Sequence, residues 1–432
     1  MIVKDIHIEN FKGIDEIDLV FNEQFNVLIG ENGAGKSSVL DAISIGLGTF
    51  LMNTSASFGP SGRRSRPLLK NEVRMVVLSD DNIEATTVKL SGTFCIEDTR
   101  SCIPWKREQP KGSKNLTVKD ASILKKYGRE VVEKLETAES LPLIAYHTTG
   151  RLWGQMYERI KEDEKEKKIE YEKIGSRLDG YFACLDPRSI EQKFLNWFKT
   201  YEDSILKFNK DKSLYNAFKN AITSMVPDWN DIHFHWGLDD LLGKDNNNIW
   251  TPFRNFSDGY KAIISITADI AYRAIKLNQY LGERAVLDTE GIVLIDEIDM
   301  HLHPKWQRHI VEDLKRTFPK IQFIVTTHSP FIVQSLKADE VINLDKDKNE
   351  LSENPDVMSI EENALFMGVS DDNSSKFERK EKLATEYFNL LNVQNPSQEA
   401  LSKLEQLLVE FSDDSAFVAK LKLEKVIKIG LQ

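Results

Sequence analysis

Three alternating stretches open the chain, IVKDIHIENF, IDLVF and FNVLIG, and the last is an apolar strand running into a glycine-rich turn. Apolar side chains at helical spacing follow over residues 36–50, so the local order is strand, glycine loop, helix. Residues 51–70, rich in Ser, Gly, Pro and Arg, read as a loop, and strand patterns return over 71–97 and 141–147. From 151 to about 225 the pattern is helical, with a charge-dense run (ERIKEDEKEKKIEYEK) and then an amphipathic, aromatic-rich one (IEQKFLNWFKTYEDSILKF). A strand is expected near 232–236 and an exposed turn at 244–248. After these come a helix over 259–281, a buried strand over 291–296, a helix over 304–317 and a strand over 321–327. VINLDKDKNELS (341–352) reads as a hairpin with Asp345 and Asp347 at its turn, and the tail from about 360 is helical. The pattern divides the chain into 1–150, a helical insertion over 151–230, a second lobe over 231–345 and a tail over 346–432.

Chemistry concentrates where strands end. Gly30 to Ser37 (GENGAGKS) matches GxxxxGK[ST] between strand and helix. Glycines there let backbone N–H groups turn inward to cradle phosphate, and the helix N-terminus adds the positive end of its dipole. Asn32, Gly33, Gly35, Lys36, Ser37 and Ser38 are the candidate nucleotide-binding residues, with Lys36 for the β- and γ-phosphates and Ser37 for Mg²⁺. GIVLIDE (291–297) is an apolar strand ending in two acids, at the strand end where α/β sheets bind ligands. Asp296 suits Mg²⁺ held through water, and Glu297 suits orienting or deprotonating the attacking water. FIVTTHS (323–329) ends another apolar strand in His328, about thirty residues on, which places it as a γ-phosphate sensor. FSDGYK (256–261) precedes a helix with Ser257 as its N-cap and Gly259 permitting close backbone approach; taken alone, a plain capped helix is the favoured reading.

Composition changes this picture little. The 432 residues are 41% hydrophobic and 29% charged, the balance of a soluble globular protein. No apolar run approaches the roughly 18–20 residues of a membrane span, and the N-terminus has no signal-peptide pattern, so a cytoplasmic protein is expected. A net charge of −11 gives nucleic acid no general attraction, although Arg63, Arg64, Arg66 and Lys70 form a local basic cluster. Cys95, Cys102 and Cys184 show no CxxC pair, which argues against disulfides and against a zinc site. His301 and His303 lack further ligands at zinc spacing.

The order of phosphate loop, FSDG, hydrophobic-Asp-Glu and histidine strand resembles the ABC ATPase head of the RecF, SMC and OLD group, as do IENFKG (8–13) and DEIDMHLHPKWQ (296–307). The resemblance covers 1–50 and 250–345. It implies an α/β fold: a mixed β lobe plus a parallel-sheet phosphate-loop core, with a helical insertion and a helical C-terminal tail. It also implies an ATP- and Mg²⁺-dependent hydrolase built as a head-to-head dimer, in which Ser257 and Gly259 contact the γ-phosphate held by the opposite subunit. By the same resemblance Phe11 and Lys12 lie near the nucleotide, and Asp299 and His303 sit in the loop that communicates across the dimer. A glutamine should bridge Mg²⁺ and the attacking water; Gln155 is the candidate, with Arg151 in the same loop an alternative facing phosphate. About 220 residues separate Ser37 from Ser257 without sustained heptads, which excludes a long-coiled-coil machine. The compact size and the YHTTGRLW stretch resemble the ATPase subunits of Septu-type anti-phage systems, where a separate HNH endonuclease cuts. The alternatives are a RecF-like repair ATPase with DNA as its partner and an ATPase that senses a non-nucleic ligand.

Overall fold

The computed structural model describes residues 1–54, 72–79, 82–96, 101–111, 116–133, 139–149, 177–185, 191–226, 228–345 and 354–368, with isolated positions elsewhere. Residues 1–367 form one compact unit and 368–432 a second; the architecture below belongs to the first.

The chain opens with β1 (Ile2–Phe11), β2 (Ile14–Val20) and β3 (Phe25–Ile29), followed by helix α1 (Lys36–Leu51). The hairpin β4 (Met75–Ser79) and β5 (Asn82–Ala85) leads to β6 (Val88–Ile96) and β7 (Ser101–Gln109). Next come α2 (Ser122–Glu133), β8 (Leu143–His147), α3 (Glu191–Phe208) and α4 (Ser213–Met225). A small antiparallel sheet, β9 (Trp229–His235), β10 (Asp240–Asp245) and β11 (Trp250–Pro252), precedes α5 (Asp258–Leu277). The core closes with β12 (Gly291–Ile295), α6 (Ile310–Thr317), β13 (Ile321–Thr326) and β14 (Val341–Asn343).

Two sheets build the head. One is antiparallel, in the order β2-β1-β6-β7, and the other is a five-stranded parallel sheet in the order β14-β3-β13-β12-β8. The parallel strands are near-continuous apolar runs because both faces of that sheet are covered. Helix α1 touches both sheets, and every residue in it except Ser37 and Ser38 is buried, which explains a sequence apolar all round. Gly46 lets it lie that close: a Cβ there would stand 2.5 Å from the Trp105 ring of β7.

Two expectations need correction. Cys95 and Cys102 face each other across the β6–β7 hairpin with Cα atoms 4.1 Å apart, and they form a disulfide. Their seven-residue separation matches no cysteine motif, but an antiparallel register brings such positions together. Cys184 is buried and takes no part in this disulfide. The helix expected over 304–317 is interrupted, forming a single turn at Pro304–Gln307 before α6. Of the 341–352 stretch the structure describes β14, which pairs parallel with β3 at the edge of the sheet among the described residues; the expected second arm lies outside them. No helix among the described residues is long and apolar enough to cross a membrane.

Candidate nucleotide site

The parallel sheet decides which chain segments meet. In its order, β13 lies between β3, which feeds the glycine loop, and β12, which ends in the two acids. The C-terminal ends of these three strands therefore sit side by side, at the edge where parallel sheets bind ligands.

Gly30, Gly33 and Gly35 take φ values of 144°, 91° and 99°, the left-handed region that L side chains avoid. Gly35 then caps α1, whose first turn carries no acidic residue to neutralise its N–H groups. Lys36 folds back and donates from Nζ to the carbonyls of Gly30 (2.7 Å) and Glu31 (3.0 Å). Burial lowers the Lys36 pKa, while the charges of Asp345, Asp296, Glu297 and Asp299 act in the opposite direction. The cation thus stands at the head of the phosphate loop with its charge partly offset by these carboxylates.

Ser37 donates from Oγ to Asp296 Oδ1 at 2.9 Å, so the two predicted Mg²⁺ residues are already side by side. A hydroxyl and a carboxylate are hard oxygen donors of the kind Mg²⁺ takes, so the residues present fit that ion. Thr326, from the end of β13, donates to Asp296 Oδ1 (2.7 Å) and accepts the Glu297 backbone N–H (2.7 Å). Glu297 is half-buried and has φ +49°, so the chain turns sharply at this residue, immediately beyond Asp296. His328 is exposed beside it, its backbone N–H donating to Asp299 Oδ1 at 3.3 Å.

Asp299 also accepts the Thr327 hydroxyl (2.6 Å), which ties the loop after β12 to the histidine strand within one subunit. Gln307 completes this clasp. Its Oε1 accepts the Ser329 hydroxyl (2.7 Å), and its Nε2 donates to the carbonyls of Leu302 (2.9 Å) and Asp299 (3.3 Å). His303 caps the short helix at 304–307, its Nδ1 accepting the Lys305 N–H at 3.2 Å. Neither His301 nor His303 belongs to a metal-binding cluster among the described residues.

Ser257 is exposed at the N-cap of α5 but makes no side-chain cap bond. Gly259 is buried, and a Cβ on it would lie 2.7 Å from the His301 carbonyl oxygen, so the glycine is required by the loop packed on it. Tyr260 packs edge-on against Trp306 of the short helix that follows this loop at 4.3 Å, and Phe256 packs on Trp229 of β9 at 4.8 Å. Phe11 has no exposed surface and lies in the core. The Lys12 ammonium pairs with Asp41, one turn along α1 from Ser37, and with Glu72 at 3.3 Å. The turn that follows them reaches the glycine loop, since a Cβ placed on Gly35 would lie 2.9 Å from the Ile14 side chain. Gln155 and Arg151 lie outside the described residues, as do the basic cluster at 63–70 (Arg63, Arg64, Arg66, Lys70) and the charge run at 158–173. The strand preceding them does reach the site: the His147 carbonyl at the end of β8 accepts the Asp296 N–H at 2.8 Å.

Three contributors escaped the sequence reading: Thr326, Gln307 and Asp345. Asp345, one residue past the Leu344 that donates to the Ile29 carbonyl (3.0 Å), accepts the Glu31 N–H through Oδ1 (3.0 Å) and Oδ2 (3.2 Å). It is a residue of the glycine loop's surroundings.

A family model described as "AAA domain, putative AbiEii toxin, Type IV TA system" matches residues 25–334. The protein named Retron Ec83 probable ATPase, from Escherichia coli, is 26% identical, with 98% of this chain and 86% of that protein aligned. Septu protein PtuA from Bacillus thuringiensis is 25% identical over 81% of this chain and 77% of its own length. The DNA replication and repair protein RecF of Pasteurella multocida is 46% identical over 43 residues, which are 10% of this chain and 12% of that protein. With the family model spanning well over half of its length, the chain belongs to this AAA-domain family and is an ATP hydrolase.

Proposed function

We propose that this chain is the ATP-hydrolysing subunit of a two-component anti-phage defence complex, and that its nucleotide state regulates a separate HNH endonuclease. The observation that carries the ATPase half of this reading is the Ser37–Asp296 contact at 2.9 Å, with Thr326 bridging Asp296 to Glu297. That arrangement brings phosphate loop, metal-binding acid and water-activating acid to one strand-end cluster. The defence half is supported by the length over which the chain aligns with a retron ATPase and a Septu protein. RecF likeness is confined to a tenth of the chain, so repair is the weaker reading.

In the proposed cycle, residues 30–38 bind the triphosphate through backbone N–H groups and Lys36. Ser37 and Asp296 would hold Mg²⁺, which screens the phosphate charge. Glu297 accepts a proton from the attacking water, and His328 faces the charge that develops on the γ-phosphate. Two heads close face to face, each offering Ser257 and Gly259 to the other's γ-phosphate, and hydrolysis loosens them. Partner control follows if the nuclease binds the closed and open states with different affinity.

Co-purification of the tagged chain, expressed with its native neighbouring genes, tests the defence reading. A stoichiometric small HNH protein identified by mass supports it. A chain recovered alone or only with DNA shifts the assignment to the RecF-like reading.

A further inference from the structure

The parallel sheet places an acid at the wrong end of an anion site. Asp345 follows β14, the edge strand paired with β3, and this register carries its carboxylate to the first turn of the glycine loop. There it accepts the Glu31 N–H with both oxygens, and its Oδ1 would lie 3.1 Å from a Cβ placed on Gly30. Asp345 is itself held by its own N–H, which donates to Asn343 Oδ1 at 3.0 Å. Among the carboxylates acting on Lys36, Asp345 exerts the largest attraction, ahead of Asp296 and Glu297. A carboxylate on a backbone N–H of a phosphate-binding loop satisfies that donor as an anion does. It also opposes further negative charge.

We propose that Asp345 is a positioning residue that sets nucleotide affinity in two opposed ways. Its hydrogen bond fixes the Gly30–Glu31 turn in the conformation that presents the loop, and its charge works against the incoming triphosphate. The site is thereby held below its maximal affinity for ATP, which suits a chain that must release nucleotide to change state. This inference rests on the reading of residues 30–38 as the ATP site.

The two effects separate by substitution. Asp345→Asn keeps an oxygen acceptor for the Glu31 N–H and removes the charge, whereas Asp345→Ala removes both. Mg-ATP binding is measured calorimetrically on the full chain carrying Glu297→Gln, so that the ligand is not consumed, with melting temperature as a check on folding. Asp345→Asn is expected to bind ATP about tenfold tighter than the parent at low salt, with the gap narrowing in high salt as screening rises. Asp345→Ala is expected to bind more weakly than Asp345→Asn, because the loop's first turn has lost its anchor. AMP, which brings less charge to the loop, should show a smaller gain. Affinity equal to or below the parent in Asp345→Asn would overturn the electrostatic role, and equal affinity of the two variants would overturn the anchoring role. A parent that binds no ATP would instead sink the ATP-site reading itself.

Discussion

Replacing Thr326 by Val tests the site's internal wiring, because the swap preserves shape while deleting one hydroxyl. That hydroxyl is buried, donates to Asp296 and accepts from the Glu297 N–H. Asp296 loses a hydroxyl donor, and a bond to a charged acceptor contributes about 1.5–3 kcal/mol. The half-buried Glu297 N–H loses its acceptor, for about 1 kcal/mol more. The total is about 2.5–4 kcal/mol, or a melting temperature lowered by about 3–5 °C for a unit of this size. The catalytic consequence is separate. Glu297 sits at φ +49°, where a non-glycine residue costs about 1–3 kcal/mol and persists only while its surroundings hold it. With the Thr326 tether gone, the turn relaxes, and kcat should fall by about tenfold to a hundredfold, equivalent to about 1.4–2.7 kcal/mol. The KM for ATP should move less, since Lys36 and the loop glycines are untouched. Thr326→Ser restores the hydroxyl and should recover most of kcat. Steady-state phosphate release and differential scanning fluorimetry provide both readouts. Wild-type kcat and melting temperature in Thr326→Val would refute the argument.

Glu297→Gln should lower kcat by at least about a hundredfold while ATP binding persists, as expected of a lost general base; unchanged turnover in phosphate-release assays removes Glu297 from the mechanism. Gly259→Ala places a methyl 2.7 Å from the His301 carbonyl, so the loop at 299–303 must move. A stability loss of about 1–3 kcal/mol is expected from such overpacking, read as a shift in urea midpoint. An alanine variant as stable as the parent would show that the loop yields freely.

The recoverable part of the site was local in sequence. Phe25–Ser37 combines a strand, a glycine turn and a helix start within thirteen residues, and Asp296–Glu297 and His328 each end an apolar strand. What sequence reasoning missed is made by the sheet. Asp345 reaches Glu31 across 314 positions, Thr326 reaches Asp296 across 30, and Gln307 reaches Ser329 across 22. None of these residues is unusual in its own window: Thr326 is a β-branched residue on a strand, and Asp345 follows a polar turn pattern. The Cys95–Cys102 disulfide was misread for the same reason, since only the β6–β7 register makes those residues neighbours. Gly259 was read as a close-approach position, and its neighbour in this subunit is the His301 carbonyl. The motif therefore has a structural role in one head whatever it contributes to a second.

That second contribution is the centre of the account, and complementation between two defective chains tests it most directly. Lys36→Ala disables the phosphate loop, and Ser257→Arg blocks the surface offered to the opposite head. If each ATP site is built from two copies, either variant alone should be inactive. A one-to-one mixture should recover up to about a quarter of normal phosphate release, because mixed dimers contain one intact composite site. Full activity of Ser257→Arg alone, or no recovery on mixing two folded inactive chains, would contradict the composite site.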